Sequence, residues 1–293
     1  MRVRVLALLS ALALWVIAAV PANASSEGHS YLALGDSVSF GTNPLLDPHH
    51  AGNFTGFPDI AAQRLNIEDV NVACPGEATG GFISLTGVDN VCRPYRAAFP
   101  LHVSYTGTQL AFAVNYLNNN PRTRLVTLML GANDFFRFMK DHPECFTATP
   151  APTCPALTND LFVAMVTNLT TIFAAIRATG YHGLLVVVTY YALNYSSKPG
   201  VAVTQGLLNA AMLTAGAHFS IVQAKGFEAL GAAAAPFGGD SCAAGLLIPL
   251  PTGGCDVHPT PKGRDLLAGA VIDAIAGTCP AADPLGCLNR NQA

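Results

Sequence analysis

Charge is scarce in this chain of 293 residues: Asp, Glu, Lys and Arg make up only 11%, and 15 basic against 18 acidic residues leave a formal charge of −3. No basic run occurs, and a nucleic-acid-binding face needs one, so that class is set aside. Glycine and proline, at 27 and 20, are too few for a fibrous or low-complexity protein, and 51% apolar residues exclude a disordered one. Cys-x-x-Cys pairs are missing, and the cysteine spacings fit no zinc finger or ribbon. Despite a mean hydropathy of +0.38, long apolar runs are limited to one.

That run is N-terminal. Arg2 and Arg4 supply a positive start, Val5 to Val20 is almost uninterruptedly apolar, and Ala22-Asn23-Ala24 gives a small-x-small cleavage site. A signal anchor is the rival reading, because the run approaches the span of a bilayer. The polar Ser25, Ser26 and Glu27 after the site favour removal. No Cys follows it, so a lipoprotein anchor has no support. The expectation is a signal peptide at 1–24 and a single secreted domain at 25–293, with no stable membrane span after cleavage.

The eight cysteines agree with an oxidising compartment, since their number is even and all lie beyond residue 24. Spacing does not dictate connectivity. Pairing in sequence order is the simplest expectation: 74–92, 145–154, 242–255 and 279–287.

Apolar segments alternate with helical ones along the rest of the chain. Tyr31–Leu34, Asp69–Ala73, Leu125–Leu130, Leu184–Thr189 and Phe219–Gln223 read as strands. Helical spacing covers Phe57–Asn66, Thr108–Asn118, Asn159–Ala178, Thr204–Ala217 and Pro261–Ala276, the last with Pro in its first turn. Strands without polar alternation, separated by helices, imply a parallel sheet covered on both faces. The fold class expected is α/β: a three-layer α/β/α sandwich with a central, mostly parallel sheet of the flavodoxin-like kind. Ala229–Gly254, rich in Ala and Gly, reads as a long loop with a short helix at its start. Neither a linker nor an internal repeat divides the chain.

Sites in such sheets form where the chain leaves the carboxyl ends of strands. Polar clusters fall there: Asp36-Ser37, Cys74–Thr79, Asn133-Asp134, and Asp256-Val257-His258-Pro259 ahead of the last helix. A serine hydroxyl needs a base to become nucleophilic. Ser37 sits on a strand-end turn, where an N-cap is the bland alternative, and the Gly-x-Ser-x-Gly elbow is not formed around it. His258 supplies the candidate base. Among the eight histidines, no other has an acidic–His–Pro setting at a strand-to-helix connection. Gly76 lets a backbone N–H approach a substrate oxygen, and Asn133 offers an uncharged amide, so both are oxyanion donors in waiting. A turn glycine and a helix cap are their ordinary duties. Phe135, Phe136, Phe138 and Met139 could line an acyl pocket or simply pack in the core.

Taken in order, Leu34-Gly35-Asp36-Ser37, Cys74-Pro75-Gly76-Glu77, Gly131-Ala132-Asn133-Asp134 and Asp256-Val257-His258-Pro259 resemble the motif blocks of the GDSL family of SGNH hydrolases. The resemblance spans nearly all of the chain beyond the signal peptide. It implies a secreted serine esterase or lipase with Ser37 as nucleophile and His258 as general base. The oxyanion hole would be the N–H groups of Ser37 and Gly76 and the side chain of Asn133. The family places Asp three residues before His, where this chain has Cys255; Asp256 stands two before. Asp256 and a backbone carbonyl both remain open as the group orienting His258. Asp36 and Asp134 read as turn residues. The resemblance implies no metal and no organic cofactor, a small-molecule, lipid or carbohydrate ester as substrate, and a monomer. An acyltransferase using the same acyl-enzyme, and a non-catalytic lipid- or carbohydrate-binding module, are the competing readings.

Overall fold

The computed structural model describes residues 30–196 and 199–279. The expected signal peptide lies outside the described residues, as does Cys287 of the expected 279–287 bridge. Strand β1 (Ser30–Gly35) runs into the one-turn helix α1 (Ser37–Phe40), and α2 (Phe57–Leu65) leads to β2 (Glu68–Asn71). Helices α3 (Thr79–Ile83), α4 (Cys92–Ala98) and α5 (Gln109–Asn119) precede β3 (Thr123–Met129). Helices α6 (Ala132–Asp141) and α7 (Cys154–Ala178) precede β4 (Leu184–Val188), and α8 (Pro199–Gly216) precedes β5 (Ile221–Ala224). Then come α9 (Gly226–Ala234), the short strands β6 (Leu247–Pro249) and β7 (Cys255–Pro259), and α10 (Pro261–Thr278).

Strands β1 to β5 form one parallel sheet in the order β2-β1-β3-β4-β5, the flavodoxin-like arrangement the sequence predicts. Helices α2 and α9 each pack against α10, and α5, α7 and α8 form a second connected layer. Right-handed crossovers put these two groups on opposite faces. The central strands are apolar because both their faces are covered: Leu125, Val126, Leu128, Met129 and all of Leu184–Val188 are buried. The edge strand β2 carries Glu68, Asp69 and Asn71 instead, polar groups suited to a half-solvated edge. Met165, Leu169, Ile172, Phe173 and Ile176 recur at helical spacing, so α7 buries one stripe against the sheet.

Ala229–Gly254 starts in a helix, α9, as expected. Its later part departs from the expected loop, because β6 pairs antiparallel with β7, with Leu247 opposite Pro259 and Pro249 opposite Cys255. Three disulfides join Cys74 to Cys92, Cys145 to Cys154 and Cys242 to Cys255, in sequence order as expected.

Candidate active site

The strand order reverses between β1 and β3, so a crevice forms beyond their carboxyl ends. At the end of β1, Gly35 has φ +140°, and a Cβ there would lie 2.3 Å from the carbonyl oxygen of Met129. Only glycine fits. Gln109 brackets this residue with its carboxamide, accepting from Gly35 N–H at 2.7 Å and donating to Gly35 C=O at 3.0 Å. Asp36 then caps α1, its Oδ1 accepting from Val38 N–H at 3.0 Å. Ser37 is the first residue of that helix and stays partly exposed, whereas Val38, Ser39 and Phe40 are buried. Its backbone N–H has no acceptor among the described residues, as the start of a helix allows.

The loop after β2 lies beside this turn, because Cys74 N–H donates to Gly35 C=O at 3.1 Å. Gly76 has φ +82°, and a Cβ there would lie 2.1 Å from Cγ2 of Val91. Its carbonyl accepts from the N–H groups of Asn90 and Val91 at 3.2 and 3.3 Å. The Cys74–Cys92 bridge ties the same two segments covalently. The Gly76 N–H, like that of Ser37, has no acceptor among the described residues.

At the end of β3, Asn133 opens α6 and is buried. Its Oδ1 accepts from Asn90 Nδ2 at 2.9 Å, which turns its own NH₂ toward Asp36, 3.4 Å from Oδ2. Asp134 faces elsewhere and accepts from the Thr79 N–H at 2.9 Å and from the Thr79 hydroxyl, pinning α3 to α6. Burial pushes the carboxyls of Asp36 and Asp134 up to about 6. For Asp36 this is opposed by hydrogen bonds from Tyr190 and Val38 and by the charge of His258. Asp36 thus caps α1, and Asp134, inside α6, holds the α3 start through Thr79.

On β7, alternate side chains share a face, so Asp256 and His258 project together. Oδ1 of Asp256 contacts Nδ1 of His258 and also accepts its backbone N–H at 3.0 Å. With Nδ1 engaged, Nε2 is the nitrogen left to act on a neighbour. Burial raises the Asp256 pKa, but the two hydrogen bonds from His258 and the charge of its ring outweigh that and hold the carboxyl below its ordinary value. The strand is held by the Cys242–Cys255 bridge, by β6, and by the Tyr191 hydroxyl, which donates to Val257 C=O at 2.6 Å.

Helix α1 touches β7, and Ser37, Asn133 and His258 all line one cavity of about 650 Å³. Phe135, Phe136, Phe138 and Met139 line it as well. Gly76 does not; its place near Ser37 follows from the Cys74–Gly35 hydrogen bond. Four supporting residues escape a reading of the sequence: Asn90, Gln109, Tyr190 and Tyr191. The two tyrosines lie just past β4, after Thr189, and that strand-end position is the one sequence signal for them. The Tyr190 hydroxyl donates to Asp36 Oδ2, and Asn209 on α8 brackets its backbone at 2.8 and 2.9 Å. Among the described residues no group of three or more His, Cys, Asp or Glu could hold a metal ion.

A family model described as the GDSL-like lipase/acylhydrolase family matches residues 33–266. No curated protein sequence matches the chain. The fold is similar to that of an acetyl xylan esterase from Geobacillus stearothermophilus, at 14% identity and a TM-score of 0.51, covering 84% of this chain and 94% of that one. A phospholipase A1 from Streptomyces albidoflavus is similar at 19% identity and a TM-score of 0.51, covering 86% and 100%. An α/β hydrolase from a metagenome of Lake Arreo, Spain, matches at 15% identity and 0.52, covering 89% and 97%.

Proposed function

Because this chain belongs to the GDSL-like lipase/acylhydrolase family, we propose that it is a secreted carboxylic ester hydrolase working through an acyl-enzyme on Ser37. The observation that carries the reading is His258, paired with Asp256 at Nδ1 and lining the same cavity as Ser37 and Asn133. Nε2 of His258 takes the Ser37 proton as Oγ bonds to the ester carbonyl carbon. Negative charge then collects on the carbonyl oxygen. The N–H groups of Ser37 and Gly76, unengaged among the described residues, and the NH₂ of Asn133 are its donors. As the carbon–oxygen bond to the alcohol breaks, the alcohol takes the proton from His258. Water, deprotonated by the same imidazole, attacks the acyl-enzyme, and the carboxylic acid leaves with Ser37 restored. Asp256 keeps the Nδ1 proton in place and stabilises the imidazolium. The three disulfides support an oxidising, extracellular location.

A fluorophosphonate probe tests this. It should label Ser37 alone, and Ser37→Ala should lose both labelling and hydrolysis of p-nitrophenyl esters. Labelling of that variant at the wild-type rate overturns the assignment.

A further inference from the structure

The cavity at Ser37 is larger and more apolar than transfer of a small acyl group requires. Phe135, Phe138, Phe146, Leu161, Phe162 and Met165 wall it, and among the described residues that line it Asp36 is the only carboxylic acid and His258 the only basic side chain. Exposed large apolar side chains also gather at it: Phe136 and Met139 are each 38% exposed, Phe146 43%, Leu193 36% and Leu207 40%. A soluble surface keeps such residues scattered, so their convergence on one opening marks a site for an apolar ligand. At on the order of 30 Å³ per carbon, the share of a water molecule in the liquid, an acetyl group would leave most of the space empty. A chain of about 10 carbons would fill roughly half of it on the same count.

The wall has a distinct construction. Between α6 and α7, the segment that holds Phe146, Thr147 and Pro150 lines the cavity, and both cysteines of the Cys145–Cys154 bridge line it too. Phe146 packs edge-on to Phe135 and Phe138 of α6, with ring centroids 5.6 and 6.0 Å apart, while the bridge ties the segment to the first residue of α7. One wall is therefore a loop with few backbone hydrogen bonds, fixed by a covalent tether and an aromatic cluster.

We propose that this cavity seats the acyl chain of medium- to long-chain carboxylic esters, and that the tethered segment from Cys145 to Cys154 sets the chain length it accepts. The inference rests on the Ser37–His258 reading above. The acyl side is assigned because the alcohol must leave before water attacks the same carbon. A group held in the cavity through both steps is therefore the acyl chain, and the alcohol departs past His258, which protonates it.

The test is a p-nitrophenyl ester series from acetyl to dodecanoyl, each below its micelle concentration. It is run on the full protein, on Thr158→Trp, and on the double variant Cys145→Ala/Cys154→Ala. Thr158 is a half-buried position of α7 on the lining, where indole would occupy the cavity. Wild-type kcat/KM should rise by about fourfold per added methylene until the chain outgrows the cavity. Thr158→Trp should move the optimum to shorter chains, cutting the decanoyl-to-butyryl ratio by tenfold or more. The double variant, with folding checked by circular dichroism and Tm, should flatten the same slope even if the indole variant fails to fold. Labelling of Ser37 together with a profile that falls from acetyl onward overturns this proposal alone. No labelling and no hydrolysis of any ester overturns the serine-hydrolase reading and this proposal with it.

Discussion

Asn90 donates from Nδ2 to Oδ1 of Asn133 at 2.9 Å, and its backbone N–H donates to Gly76 C=O at 3.2 Å. One loop residue therefore orients two of the three groups assigned to the oxyanion hole. An amide side chain can present either its oxygen or its NH₂, and only the NH₂ stabilises an anion. Removing Asn133 should cost about 10² to 10³ in kcat, the usual loss of an oxyanion donor. Asn90→Ala leaves Asn133 in place but free to turn over. We expect a loss of about tenfold in kcat, near the weight of one hydrogen bond, with KM little changed. Asn90→Asp should be worse, because its carboxylate repels Oδ1 and favours the wrong orientation. Equal kinetics for Asn90→Ala and wild type would show that Asn133 is held by Asp36 alone.

The motif blocks were legible because each couples a strand end to residues with unusual chemistry. The supporting residues were not. Asn90 lies in a loop whose sequence has no periodic pattern, and its partner is 43 residues away. Gln109 looks like any first-turn helix residue until its carboxamide meets Gly35 from 74 residues away. Tyr190 and Tyr191 extend an apolar strand, so their rings read as core and their hydroxyls went unnoticed. Strand β6 is hidden for a different reason: three residues ending in Pro249 give no alternation to detect. Asp256 could have pointed either way from sequence; the extended backbone of β7 turns its carboxylate onto the ring.

Glu77 supplies a pH dependence of stability. It is 3% exposed, and burial first, then the charge of Asp89, pushes its carboxyl from 4.5 up to about 8. Its Oε2 lies 3.4 Å from Sγ of Cys92, a bridged sulfur with no proton to give, so the protonated acid is the donor there. A folded pKa above the unfolded one means that the native state binds the proton more tightly. The stabilisation is complete below about 4.5 and is lost as pH rises through about 8. Tm should therefore fall between pH 5 and pH 9, and Glu77→Gln should flatten that fall. A Gln variant with the wild-type slope would assign the effect to another group.

The Cys242–Cys255 bridge is expected to act on catalysis through position. Cys255 begins β7, and His258 follows within the same five-residue strand, whose partner β6 has only three residues. The sequence around it, Gly253-Gly254 and Ala243-Ala244-Gly245, offers little side-chain packing. Cys242→Ala/Cys255→Ala should reduce kcat by about tenfold while the loss of unfolding free energy stays within the range of a short-loop disulfide, about 3 kcal/mol. A variant that loses stability but keeps its full kcat would show that β6 and Tyr191 hold His258 unaided.

Asp256 carries the sharpest test of the mechanism. Its carboxylate contacts Nδ1 of His258, and hydrogen bonds from that residue outweigh burial to hold its pKa below the ordinary value. It therefore stays ionised at neutral pH, where the imidazole must gain a proton in the transition state. An Asn at this position keeps the size and the chance to accept the His258 backbone N–H, now at 3.0 Å. It removes the charge and allows an NH₂ to face Nδ1, which selects the wrong tautomer. The expected cost is roughly 10⁴ in kcat with KM nearly constant, as for the same swap in a serine triad. Asp256→Glu restores charge on a longer arm and should recover part of that loss. If Asp256→Asn folds and loses less than about tenfold, a barrier change near 1.4 kcal/mol, then the ring is oriented without the carboxylate. Ser37 and His258 would then work as a dyad.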